Sequence, residues 1–231
     1  MEATVTRERI VDAAAALLAE GGREAVSTRA VSAAAGVQAP TIYRIFGDKQ
    51  GLLDAVASRG VADYLRAKTA RERDPDPVQD LRRGFDLHVG FGLAHPALYA
   101  LIYGEPRPGV ESAAKREATA VLAGMIRRIA EAGRLRVSEE RAVRLVHSAG
   151  CGITFTLIGL PPEQRDPALS ELARESVLAT VTTDRSVHAG SDAGPVATAV
   201  TLRAALPQLS ALSRAERRLL GEWLDRLAAD Q

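Results

Sequence analysis

The chain has 231 residues, of which 46% are hydrophobic, 4% aromatic and 26% charged, with a formal net charge of +1. That is ordinary globular composition, and without a global basic signature any nucleic-acid contact must rest on locally concentrated charge, backbone amides or helix dipoles. One cysteine, Cys151, excludes an internal disulfide and suits a reducing compartment.

The opening residues carry acids and arginines without a signal-peptide layout, so the expectation is a cytoplasmic protein. A first helix is predicted from Arg7 to Glu20, with Thr6 as N-cap. Ile10, Ala14, Leu17 and Leu18 share one face of it, and Gly21 and Gly22 stop it. Ser27 then caps a short helix bearing Ala30, Val31, Ala34 and Ala35 at helical spacing. Gly36 ends that helix, because the residue past a helix end often takes positive φ. Pro40 sits early in the next helix, where its missing amide hydrogen costs nothing. Ile42, Ile45 and Phe46 form the inward stripe of this helix, leaving Ala39, Thr41, Tyr43 and Arg44 outward. A helix that short must be held by its neighbour, and its polar face is then free to meet something.

Asp48 caps a fourth helix through Leu52, Leu53, Val56, Val61, Tyr64 and Leu65, ending near Arg73 before the Asp74-Pro75-Asp76-Pro77 breaker. Beyond it the apolar pattern stays helical, with no convincing alternating strand. Helices are expected at 78–93, 97–103, 110–132, 138–159, 167–182, 196–206 and 213–229. GEPRPG at 104–109 and the polar stretch 183–195 read as loops. Ser213 with Glu216 forms a full capping box, whereas Ser138 has Arg141 where the acid belongs. The helix over 138–159 is apolar nearly all round after Val146, and so is expected to be central.

Two short helices, a glycine turn and a polar second helix match a helix-turn-helix. AGV at 35–37, PTIYRIF at 40–46 and GDKQGLL at 47–53 resemble the DNA-binding domain of the TetR family of bacterial transcription regulators. The resemblance runs from the first helix to the start of the fourth and is weaker beyond residue 60, where HPALYALIYG at 95–104 is also similar to many such regulators. It implies an all-α fold with a three-helix DNA-binding domain at 1–50 and a larger helical domain at 51–231 for effector binding and dimerisation. It further implies a dimeric regulator, a repressor released from a palindromic operator by a small molecule.

The resemblance assigns Arg29, Ala39, Pro40 and Arg44 to base edges. It assigns Thr28, Thr41, Tyr43 and Lys49 to phosphates. The chemistry fits, since a guanidinium can pair both acceptors of guanine, and hydroxyls with a lysine near a helix N-terminus suit phosphate. Three residues depart from the pattern. Gln38 stands where a capping serine is common, Ile45 where a polar aromatic is, and Ser32 where alanine is.

For an effector pocket, the polar and aromatic residues on otherwise apolar helices are Phe85, His88, Phe91, Tyr99, Tyr103, His147, Cys151 and Phe155. Each also reads as ordinary core. His147 and Cys151 lie four apart on one helix face, but two ligands do not make a metal site, so neither a metal nor another cofactor is expected. For the dimer, the resemblance points to the helices at about 140–160 and 167–182, with Leu157, Ile158, Leu169, Leu172, Val177 and Leu178 at a two-fold axis. A helical enzyme and a protein-interaction module retaining the hairpin are the alternative readings. The sequence has no nucleophile elbow, P-loop or dinucleotide fingerprint to support an enzyme.

Overall fold

The computed structural model describes residues 2–69, 73–104, 109, 111–183 and 194–229. Among these the protein is all-α, and the lone extended pairing is an isolated bridge between Leu135 and Thr182. The expected end of the fourth helix beyond Thr69, most of the 104–109 loop and most of the 183–195 loop lie outside the described residues.

The chain divides into two compact units. The first takes residues 1–71 with 90–118, and the second takes 72–89 with 119–231. In the first, α1 (Glu2–Ala25), α2 (Thr28–Ala35), α3 (Ala39–Phe46) and α4 (Lys49–Thr69) share one core with α6 (Pro96–Tyr103). α5 (Pro77–Ala94) leads into α6. Ile10, Leu18, Val26, Val31, Ile42, Leu52 and Leu53 are its innermost side chains, each almost fully buried. Burying each of the larger ones stabilises the unit by about 1.5–3 kcal/mol. Leu98 and Leu101 of α6 pack against that cluster.

The glycine pair at 21–22 breaks α1 as expected: Gly22 sits at φ 66, ψ −166, and only a last short turn follows it. The start of α1 differs from expectation. It begins at Glu2, so Thr6 lies inside the helix and does not cap it.

In the second unit, α8 (Glu139–Ile158) packs on α9 (Pro167–Val181), and α10 (Pro195–Ala205) on α11 (Arg214–Ala229). α7 spans Ala113–Glu131. The α7–α8 turn is pinned to the end of α9 by Arg136 N–H donating to Val181 O at 2.9 Å and Thr183 N–H to Arg134 O at 3.0 Å. α8 buries Val146, Gly150, Ile153, Thr154 and Leu157 on one face, while Ser148, Gly152 and Thr156 are exposed, so it is not enclosed all round as its apolar run suggests. The Thr154 hydroxyl is satisfied by the Gly150 carbonyl at 2.7 Å.

Charged residues at the N-terminal half of α5 are tied down by arginines. Asp80 is 4% exposed, and Arg128 donates to it at 2.6 Å. A carboxylate so buried would be strongly destabilising without that partner. Arg134 donates to Asp76 at 2.7 Å. Burial pushes the Asp76 carboxyl up, but the Val78 amide and the Arg134 charge outweigh it and hold it below its ordinary range. Arg82 grips both oxygens of Glu175 at 2.9–3.1 Å. That bond, with burial opposing it and Arg174 adding to it, holds Glu175 below its usual range.

The Ser213–Glu216 capping box of α11 forms in both directions, at 3.3 and 2.8 Å. Ser138 caps α8 through its hydroxyl alone, accepting from Arg141 N–H at 3.3 Å. Of the residues expected at a two-fold axis, Leu157, Val177 and Leu178 are already buried within the chain. The protomer itself covers them, so they have little surface left to offer a partner. Leu169 and Leu172 of α9 are exposed, the latter at 65%. Among the described residues, no helix is long and apolar enough to cross a membrane.

Candidate nucleic-acid interface

The α2–α3 hairpin is built by three local devices. Ser27 has extended backbone angles and its hydroxyl accepts from Ala30 N–H at 3.1 Å, capping α2. Gly36 takes φ 61, ψ 40, the left-handed conformation, and its N–H turns back to Ala33 and Ser32 carbonyls. An L side chain there would be strained by about 1–2 kcal/mol. Pro40 occupies the first turn of α3, and Gly47 closes that helix at φ 81 with its N–H on Tyr43 O at 2.8 Å. Asp48 then caps α4, accepting from Gly51 N–H at 2.7 Å.

Gln38 provides no side-chain cap to α3, so this helix relies on Pro40 and packing. Ile42 is its anchor, 2% exposed, and Ile45 and Phe46 pack partly buried on the same core. Ile45 therefore serves packing where a polar aromatic would point outward. The Arg7 guanidinium lies 5.5 Å from the centroid of the Phe46 ring, a cation–π contact that ties α1 to the end of α3.

With that face buried, Tyr43 is 50% exposed. Arg44, Arg29 and Pro40 are exposed, and Ala39, Thr41, Thr28 and Lys49 are partly so. Arg44 and Arg29 have no hydrogen-bond or ion-pair partner among the described residues. From Ser27 to Gly47 the chain contains no Asp or Glu, so the charge carried by this hairpin is positive even though the whole protein is nearly neutral. Thr28 Oγ1 and Tyr43 Oη stand 3.4 Å apart. Two hydroxyls from adjacent helices at that spacing can converge on one phosphate oxygen.

Lys49 has an additional role that its position in the sequence does not reveal. Its Nζ donates to Arg23 O at 3.4 Å, while Arg23 donates to Gln50 Oε1 at 3.0 Å. The end of α1 is thereby latched to the start of α4, the helix that follows α3. The Arg23–Gln50 pairing spans 27 residues, so no local pattern announces it beyond the glycine and Asp-Lys breaks that the two residues flank.

The eight residues singled out for a ligand come from both units. Phe91, Tyr99 and Tyr103 fall in the first unit, where Phe91 stacks on Tyr64 at 4.5 Å and Tyr99 meets Tyr103 at 4.8 Å. Tyr99 is fully buried. Phe85, His88, His147, Cys151 and Phe155 fall in the second unit. There Gly150 makes room for its neighbours: a Cβ on it would lie 3.2 Å from the His88 ring and 3.6 Å from Phe85. Cys151 Sγ is 3.7–3.8 Å from the His147 ring nitrogens, one turn apart on α8. Among the described residues no three His, Cys, Asp or Glu side chains cluster as a metal site would need.

Residues 10–56 match the family model described as bacterial regulatory proteins, tetR family. The HTH-type transcriptional regulator YvkB of Bacillus subtilis, itself uncharacterized, is 35% identical over 85 residues. That match covers 37% of this chain and 41% of the relative, so the chain matches well under two thirds of that protein's length. A solved tetR-family transcription regulator from Shewanella sp. PV-4 superposes with a TM-score of 0.62 at 19% identity, covering 77% of this chain and 98% of that one. SmeT, the repressor of the Stenotrophomonas maltophilia multidrug efflux pump SmeDEF, gives 0.59 at 21%, covering 83% and 97%. A TetR variant from Acinetobacter baumannii solved with minocycline gives 0.56 at 18%, covering 74% and 93%. At such identities these structures speak for the fold alone.

Proposed function

We propose that this chain, whose residues 10–56 match the model of tetR-family bacterial regulatory proteins, is a dimeric repressor that leaves a palindromic operator when a small molecule binds. The observation that carries this is the exposed Tyr43–Arg44 face of α3 on an acid-free hairpin, anchored by buried Ile42. α3 enters the major groove. Arg44 and Arg29 meet base edges, and Ala39 and Pro40 offer apolar contact to thymine methyls. Thr28, Thr41, Tyr43 and Lys49 hold phosphates and fix the register.

One helix of eight residues buries little surface on DNA, so two are needed, about 34–36 Å apart on successive grooves. Residues 1–50 read the operator, and residues 51–231 bind the effector and the second protomer, with Leu169 and Leu172 on the shared face. The two aromatic and histidine groups, around Tyr99 and around His147, are the places where an effector would be held. The effector acts only through its different affinity for the DNA-bound and released conformers.

Selecting bound duplexes from a random pool tests the reading. Enrichment of an inverted repeat with half-sites one helical turn apart is the expected result. A protein that is monomeric in solution and retains no duplex at low salt would overturn it.

A further inference from the structure

The first unit carries a groove of about 300 Å³ on the side of α1 and α4, closed by the corner between α5 and α6. That volume lies at the lower end of small-molecule pockets. Its floor is apolar, formed by Leu18, Val56 and Leu98. Gly60 sets how closely the walls approach. A Cβ at that position would fall 2.4 Å from Leu98 Cδ2, so α6 rests against the backbone of α4.

The mouth of the groove is charged. Asp12 of α1 and Asp63 of α4 share the Arg59 guanidinium, which stands 3.8 Å from one and 3.6 Å from the other. Both distances are longer than a hydrogen bond. Arg66 reaches Asp63 from the solvent side, so Asp12 is the carboxylate that has ion-pair proximity and no hydrogen bond among the described residues. His95 lines the opposite edge. An apolar floor beneath two carboxylates that share one loosely held arginine favours a guest with a positive end and a greasy end.

We propose that this groove binds a small amphipathic organic cation. Its ammonium sits between Asp12 and Asp63 and its apolar part rests on Leu18, Val56 and Leu98. Arg59 acts as the resident cation and is displaced toward solvent on binding. The site lies apart from the α2–α3 face, and His95 at its edge also meets the Phe91 ring, 5.6 Å between centroids; its test needs no DNA, so its fate is independent of the repressor reading.

Benzylammonium, benzyl alcohol and benzoate are near-isosteric probes carrying positive, zero and negative charge. Each is titrated into the 231-residue chain while the methyl resonances of leucine and valine are followed. Benzylammonium is expected to shift Leu18, Val56 and Leu98 saturably and to bind at least about tenfold more tightly than the other two, a difference of about 1.4 kcal/mol. Asp12→Asn should weaken it about fivefold or more with an unchanged thermal midpoint, since the side chain is solvent-facing and bears no hydrogen bond. Arg59→Gln should tighten it by removing the competing cation. Equal or tighter binding of benzoate, weakening by Arg59→Gln, or the absence of saturable shifts up to about 10 mM probe would each overturn the proposal.

Discussion

Two serines on the same short helix should respond to alanine with opposite signs. Ser27 is the N-cap of α2, and its hydroxyl accepts the Ala30 amide at 3.1 Å. Removing such a cap costs about 1 kcal/mol. Ser32, four residues into the helix, is the reverse case. Its hydroxyl is fully buried and has no hydrogen-bond partner among the described residues. Leaving a hydroxyl desolvated and unpaired costs about 1–3 kcal/mol. Alanine also has the higher helix propensity, by about half a kcal/mol. The lost oxygen leaves a void smaller than a methyl group, so little packing is forfeited. Ser32→Ala should therefore stabilise the protein by about 1–2 kcal/mol, raising its melting temperature by about 2–6 °C. Ser27→Ala should lower it by a comparable step. Thermal and urea unfolding of both variants, fitted with a common slope, measure the pair. Because Ser32 points inward, affinity for DNA should not change. A Ser32→Ala protein no more stable than the parent would mean that the hydroxyl is bonded after all, and would refute the reasoning.

Arg44→Ala should cost about 1–3 kcal/mol on a matched operator and much less on a scrambled one, whereas Lys49→Ala should weaken both alike and reduce the salt dependence by about one unit. Mobility-shift titrations at several salt concentrations separate the two. Since Lys49 also latches Arg23, its variant should in addition show faster amide exchange at the end of α1. Acid stability should depend on Glu175, whose carboxyl is held below its ordinary value near 4.5 chiefly by Arg82. A lowered acid pKa contributes stability that is complete above that ordinary value and disappears as pH falls through the folded value. Arg82→Gln should therefore flatten the loss of stability below about pH 4.5 while lowering stability at neutral pH, as read from unfolding curves across that window. Leu172→Arg places a charge on the exposed face of α9 and should convert a dimer to a monomer by light scattering. An unchanged mass would remove α9 from the interface.

The hairpin was legible because each of its decisions is local. Ser27, Gly36, Pro40 and Asp48 act within four residues of themselves, and each does in space what its chemistry implies. The same reasoning failed at Thr6, a good capping residue that tertiary packing left inside a longer helix. It also failed for Leu157, Val177 and Leu178. Helical periodicity says that such residues are buried, but not whether the protomer or its partner buries them. The ligand candidates are legible by residue type along the chain, but which helices meet is decided by contacts far apart in sequence. For Asp12, Arg59 and Asp63 the 59–63 spacing on α4 is readable in the sequence, while the approach of Arg59 to Asp12 on α1 is not.

The distribution of chromophores has a practical consequence. The protein has a single tryptophan, Trp223, half-exposed on α11 in the second unit. All four tyrosines, at 43, 64, 99 and 103, belong to the first. Indole emission therefore watches one unit and phenol absorbance the other, without any label. If the two optical signals melt together, the halves unfold as one cooperative body; if they part, a half-folded species accumulates between them.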